Sequence, residues 1–274
     1  MTRAPVAAKI NLALVVGPRR EDGLHEVATV LQRIDLEDRL TLERAPSLEV
    51  TGFREDTLVR GALEALASRA GVEPAWRVRI DKGIPVAAGL GGGSADAAAA
   101  LRLANATLAK PLEADELHEV ASSIGADVPF FLEPGSKLAE GAGERLTRLE
   151  LPQDYWVVVA LPLRGAKAST GEVFRRFDEL GGAAGFEERR AELLATLGEC
   201  RRPRDFAAFP PNDLAGAAGG SELAAELVAA GAFRADVSGA GPAVYGLFHH
   251  RQQAKEARRR TAARARSWLT VPVW

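Results

Sequence analysis

Residues 84–108 read IPVAAGLGGGSADAAAALRLANATL. Four glycines fall within five residues (Gly89, Gly91, Gly92, Gly93), then Ser94, then a run rich in alanine. Glycine inside an element costs conformational entropy, whereas alanine is the best helix former, so the juxtaposition needs a compensating reason. A strand ending near Lys82 and a helix beginning about Gly93 place unpaired backbone N–H groups at the positive end of a helix. Without β-carbons the loop can fold back until several of those groups converge on one anion. The alanines beyond offer a smooth face for close packing. A glycine-rich connector at a tight packing contact fits the same spacing. The Walker pattern fails because no lysine follows the glycines, and the dinucleotide fingerprint fails because Ser94 stands where its third glycine belongs. Spacing alone points to phosphate and no further.

Outward from the loop, residues 6–16 and about 30–43 read as strands, with an Asp22-Gly23 turn between them. Residues 57–71 carry Leu58, Leu63, Leu66 and Ala67 at near-helical spacing, and Gly71 stops that helix. Residues 76–80 (WRVRI) alternate as a half-buried strand does. A helix ends at Gly125, and two short strands flank AEGAGERL. Near Leu151-Pro152 a second unit begins, giving expected domains of 1–151 and 152–274. The apolar run 155–163 is a strand, helices are expected around 171–180, 187–198 and 221–230, and strands near 233–237 and 243–248. The Arg-rich segment 249–268 reads as a solvated terminal helix, and GGAAG (181–185) as a flexible link.

Bulk properties narrow the functional classes. The chain has 274 residues, 47% hydrophobic and 26% charged, with a net charge of −2. That balance gives no electrostatic case for nucleic acid or an anionic membrane. The one cysteine, Cys200, supplies neither an internal disulfide nor a zinc cluster and fits a reducing, cytoplasmic setting. No apolar run approaches the ~18–20 residues that span a bilayer. The expected partners are small molecules, with the chain a monomer or weak homodimer.

Four further stretches carry candidate chemistry. AAKINLAL puts Lys9 and Asn11 on one strand face. GADVPFFL is expected to bury Asp127 in an apolar context just before Pro129. KASTGEVF joins Ser169 and Thr170 to Phe174, and VSGAGPAVYGLF is a second glycine turn. Each also has a plain reading: a strand-edge charge, a turn cap, an N-cap at Thr170, a β-connection.

Taken in order, KINLAL, DGLHE, IPVAAGLGGGSADAA, GADVPFFL, AEGAGERL, STGEVF, NDL and SGAGP resemble the GHMP small-molecule kinases along residues 9 to about 248. The resemblance implies an α+β fold of two domains, ribosomal-S5-like then ferredoxin-like, with the active site in the cleft between them. It implies ATP-dependent phosphorylation of a small alcohol. The best-matching branch acts on the tertiary 2-hydroxyl of a cytidine-diphosphate-linked methylerythritol in non-mevalonate isoprenoid synthesis. Another alcohol, or a nucleotide-binding relative without turnover, are the alternatives. By resemblance ATP is wrapped by Pro85, Val86, Ala87, Ala88, Gly89, Leu90, Gly91, Gly92, Gly93, Ser94, Ala95 and Asp96, with Ser94 near Mg²⁺ held through the nucleotide. Lys9 and Asp127 take the catalytic positions. Asn11, Leu24, His25, Thr170, Phe174, Ser238, Gly239 and Gly241 fall on the substrate side, His25 meeting a cytosine edge and Phe174 one of its faces.

The sequence departs from the family at four points. Leu24 replaces a usual tyrosine on the other cytosine face, Ala7 a proline, and Ala240 a serine. Thr57 precedes Leu58 where asparagine is common near adenine. Lys9, Asp127 and the glycine loop are retained.

Overall fold

The computed structural model describes residues 1–54, 56, 58–163 and 168–273; Thr57, the residue expected near adenine, lies outside them. The chain forms two compact units that are discontinuous in sequence. One comprises 1–8, 36–87 and 91–134, the other 9–35, 88–90 and 135–274, so Leu151 and Pro152 both fall inside the second. Two long paired strands, β1 (Thr2–Arg19) and β2 (His25–Arg44), contribute residues to both units. The expected Asp-Gly turn joins them: Gly23 has φ 85°, and the Leu24 amide donates to Asp22 Oδ1 at 3.0 Å.

In the first unit, the C-terminal part of β2 pairs antiparallel with β4 (Trp76–Asp81), Leu40 opposite Ile80 and Leu42 opposite Val78. The short β3 (Glu49–Thr51) adds in parallel on the other side of β4. Three helices pack together: α1 (Leu58–Ala70), α2 (Gly92–Asn105) and α3 (Ala114–Ile124). Residues Ala95 to Leu101 of α2 are all buried, which explains its alanine content, since a helix enclosed on every side needs small side chains. Glu113 and Glu116 form a reciprocal capping box that starts α3.

In the second unit, the N-terminal part of β2 pairs antiparallel with β5 (Ser136–Gly141), which pairs with β6 (Arg145–Leu149). A separate antiparallel sheet has the order β10-β7-β9-β8, built from β7 (Trp156–Pro162), β8 (Arg234–Val237), β9 (Val244–Phe248) and β10 (Ala265–Thr270). Helices α4 (Thr170–Glu179), α5 (Phe186–Glu199), α6 (Ala215–Ala218), α7 (Ser221–Ala229) and α8 (Arg251–Arg260) complete it. Leu223 and Leu227 of α7 and Ala254 and Ala257 of α8 close one core against Val158, Val237 and Phe248. Leu14, Val16, Val27, Val173 and Phe177 make another, over which Phe174 packs.

Two expectations need correction. The Arg-rich helix stops at Arg260, and β10 follows, in register with β7 from Ala265–Pro162 to Thr270–Val157. Trp268, Leu269 and Thr270 favour a pleated surface, and the buried edge of β7 overrides the charge pattern read as solvated helix. GGAAG is a tight turn inside the second unit, not a link. A β-carbon on Gly182 would lie 2.2 Å from the Phe177 ring.

Candidate active site

The glycine loop begins where β4 ends and is wound by alternate left-handed residues. Ala87 (φ 47°), Gly89 (79°) and Gly91 (70°) all have positive φ, and Ala87 is the one non-glycine residue so placed among the described residues. Helix α2 starts at Gly92, with Gly91 at the N-cap and no side-chain cap. Its first amides therefore have no partner within the helix, and no acidic side chain stands in the first turn to compete for them. Gly91, Gly92, Gly93 and Ser94 are half-buried and Val86 and Ala87 exposed, whereas the side chains of Ala88, Leu90, Ala95 and Asp96 are buried. The arrangement suits an anion met by backbone, as the sequence suggests.

Beneath the loop lies a charged cluster that the motif reading missed. Asp38 Oδ1 accepts from the amides of Gly83 (2.7 Å) and Ile84 (2.8 Å), and Lys82 Nζ donates to Asp38 Oδ2. Lys82 Nζ also donates to Asp96 Oδ2 at 2.8 Å. One ammonium thus serves two buried carboxylates. Burial, with repulsion from Asp38 added, outweighs Lys82 and pushes the Asp96 carboxyl up to about 7, while the two acids hold the Lys82 ammonium charged. Through Lys82 the Asp96 side chain ties the start of α2 to the end of β4 and to Asp38 of β2. A lysine directly ahead of the glycine loop was the available signal.

The loop tip, residues 88–90, belongs to the second unit, where the other glycine turn holds it. Ser238 Oγ donates to the Gly89 carbonyl at 2.8 Å, the Ala243 amide to that of Ala88 at 3.0 Å, and the Lys9 amide to that of Leu90 at 3.0 Å. A β-carbon on Gly89 would stand 2.1 Å from the Ser238 carbonyl oxygen. Only glycine fits. The turn itself is fixed by Asn212, whose Nδ2 donates to the carbonyls of Val237 (2.9 Å) and Gly239 (2.7 Å). Gly241 has φ 70° and precedes the cis Pro242. NDL and SGAGP are therefore one device that grips the tip of the glycine loop, with the Ser238 hydroxyl as one of its contacts.

Lys9 and Asn11 do share a face of β1, both buried. Lys9 Nζ donates to Asn11 Oδ1 at 2.6 Å, Asn11 Nδ2 to Thr29 Oγ1 at 2.8 Å, and Thr29 Oγ1 to the Ala13 carbonyl at 2.7 Å. This chain orients the ammonium, and Thr29 is a member the motifs did not reveal. The position a Gly239 β-carbon would take is 3.5 Å from Lys9 Nζ and 3.4 Å from Asn11 Oδ1, so the glycine turn lies against this pair. Asp127 lies in the first unit, in the turn before the 3-10 helix Pro129–Phe131, and is half-buried rather than buried. Val128 and Phe130 next to it supply the apolar packing instead.

His25 and Phe174, far apart in sequence, are brought together. Their rings stack with centroids 4.8 Å apart at 30°, and Phe177 meets the imidazole edge-on at 6.2 Å. His25 Nε2 is 2.8 Å from Asp178 Oδ1. Leu24 beside it is 50% exposed. Thr170 is exposed at the first turn of α4, and the cap is Ser169, whose Oγ accepts from the Glu172 amide at 3.2 Å.

Comparison with known proteins follows the same lines. The family model described as "GHMP kinases N terminal domain" matches residues 57–135, and "GHMP kinases C terminal" matches residues 221–266. A relative from Geobacter sulfurreducens, 4-diphosphocytidyl-2-C-methyl-D-erythritol kinase, is 37% identical over 97% of this chain and 96% of its own. The protein of that name from Salinispora tropica is 41% identical over 88% of this chain and 81% of its own. A crystal structure of 4-(cytidine 5'-diphospho)-2C-methyl-D-erythritol kinase superposes with a TM-score of 0.79 at 31% identity, covering 100% of both chains. The mevalonate kinase of Methanococcus jannaschii, at 12% identity and a TM-score of 0.74 over 99% of this chain and 98% of its own, shares the fold. The chain belongs to the GHMP kinases, a family of ATP-dependent small-molecule kinases, and stands with those relatives that carry the 4-diphosphocytidyl-2-C-methyl-D-erythritol kinase name.

Proposed function

We propose that this kinase transfers the γ-phosphoryl group of ATP to the 2-hydroxyl of 4-diphosphocytidyl-2-C-methyl-D-erythritol, in non-mevalonate isoprenoid precursor synthesis. The observation that carries the reading is the His25–Phe174 stack, an aromatic platform beside a polar ring edge that a pyrimidine can use. The identity shared with relatives of that name over nearly the whole chain supports it.

In this reading the amides of residues 91–94 receive the ATP phosphates at the positive end of α2, the Ala95 amide being engaged by the Gly91 carbonyl. The Lys82–Asp38–Asp96 cluster and the Ser238 turn keep the loop in shape. Phosphoryl transfer needs chiefly alignment and neutralisation of charge. Lys9, oriented by Asn11, offsets charge on the transferred group, and Asp127 aligns the alcohol and takes its proton. The Ser94 hydroxyl would offer one oxygen ligand to a Mg²⁺ ion held chiefly through the nucleotide. Bound there, the ion would add charge neutralisation. Leu24 covers the second base face by apolar contact, and Thr170 lies toward the diphosphate. The protein is in this reading a cytoplasmic monomer or weak homodimer.

The test is a coupled ADP-release assay offering the cytidyl alcohol, mevalonate and homoserine in parallel. Phosphorylation of the cytidyl alcohol alone is expected. A preference for either of the others would overturn the substrate assignment, and no turnover with any would point to a binding protein.

A further inference from the structure

Asp178 sits in the last turn of α4, where a carboxylate runs against the negative end of the helix dipole. It is exposed, and its Oδ1 lies 2.8 Å from His25 Nε2. Phe174 and Asp178 are four residues apart, so the helix presents them on one side, the ring beneath the imidazole face and the acid at its edge. Phe177 closes a further edge. Among the described residues, no hydrogen-bond partner lies at His25 Nδ1.

We infer that Asp178 sets the pyrimidine preference of the substrate slot by fixing the His25 proton on Nε2, which leaves Nδ1 as an acceptor. This rests on the cytidyl reading above. A carboxylate can only accept, so the neutral imidazole beside it carries its hydrogen on the facing nitrogen, and the other nitrogen presents a lone pair. An in-plane acceptor matches the exocyclic amino group of cytosine, which donates. It opposes the corresponding carbonyl of uracil, where two lone pairs would face each other. A base meeting Nδ1 edge-on lies near the imidazole plane and extends over the Phe174 face on which His25 already stacks. Asp178 touches no substrate in this account and is a positioning residue.

The experiment has two arms, on wild type, Asp178→Ala and Asp178→Glu. Nitrogen-15 NMR of labelled histidine in the free protein reads which ring nitrogen of His25 is protonated at neutral pH. Steady-state kinetics compare the cytidine-diphosphate-linked alcohol with its uridine counterpart. Wild type should show Nε2 protonated alone, and Asp178→Ala a mixture of tautomers. The alanine variant should lose about tenfold or more of the discrimination in kcat/KM, the size of one unmade hydrogen bond. That loss should come through KM with kcat unchanged, and Asp178→Glu should restore it. Wild-type protonation at Nδ1 or at both nitrogens overturns the inference, as does unchanged discrimination in Asp178→Ala once its tautomer has shifted. If wild type phosphorylates neither nucleotide-linked alcohol, the cytidyl reading and its specificity fall together, while the NMR arm still decides whether Asp178 fixes the tautomer.

Discussion

Replacing Gly89 with alanine strikes the point where the two glycine motifs meet. The added β-carbon would lie 2.1 Å from the Ser238 carbonyl oxygen, with Gly241 N at 3.0 Å and Gly241 O at 3.1 Å, all backbone atoms. To reach ordinary contact the loop tip must retreat by about 1 Å, and alanine at φ 79° adds ~1–2 kcal/mol of left-handed strain. Three hydrogen bonds hold that tip, from Ser238 Oγ, the Ala243 amide and the Lys9 amide. At ~1 kcal/mol net for each, losing two of them brings the expected destabilisation to ~3–4 kcal/mol. If the loop amides hold the ATP phosphates as proposed, moving them by about 1 Å should also lower turnover ~10²-fold. Thermal unfolding and ATP saturation curves, read by ADP release below the melting transition, measure both effects. Gly61 in α1 is the matched control, because nothing lies within 4 Å of its β-carbon position. Gly61→Ala should gain ~0.5–1 kcal/mol and leave kinetics alone. A Gly89→Ala protein as stable as wild type, with an unchanged KM for ATP, would refute the grip between these turns.

Other perturbations separate the remaining roles. Asp127→Asn should lower kcat ~10²-fold or more while ATP binding, followed by calorimetry, persists; near-normal turnover removes Asp127 from the mechanism. Phe174→Ala should raise KM for the cytidyl alcohol by ~10-fold or more, since stacking on a base contributes ~1–3 kcal/mol; an unchanged KM makes Phe174 a packing residue only. Asp96→Asn tests the cluster under the loop. A carboxyl raised from 3.8 to about 7 favours the protonated folded state, so its stabilising contribution is complete below pH 3.8 and is lost as pH rises through about 7. Urea titrations at about pH 5 and about pH 8 should show wild type losing stability relative to the asparagine variant; parallel pH curves would show that Asp96 is not raised.

What the sequence made legible was local. Alternation put Lys9 and Asn11 on one face, and the 2.6 Å bond between them follows from that two-residue spacing. The glycine run located the loop, and apolar spacing located α1, α4, α5 and α7 within a residue or two. Partners across long separations were not legible. Ser238 reaches Gly89 over 149 residues and Asp178 reaches His25 over 153, and no periodicity encodes such a pairing. Charge misled once, at the Arg-rich end, because pairing along β7 outranks composition. Arg266 belongs to a strand within an Arg-rich segment, exposed, its guanidinium over the Trp268 ring.

The interleaving of the two units bears on how the chain is made. The Val16 amide binds Asp213 Oδ2, the Leu14 carbonyl receives the Asp213 amide, and Tyr245 OH donates to the Leu12 carbonyl. β1 therefore waits for partners 197 to 233 residues further along the chain, and closing such distant contacts is slow. A fragment ending near residue 151 would leave the loop tip and half of β1 without their partners, so neither part should be obtainable as an autonomous folded piece.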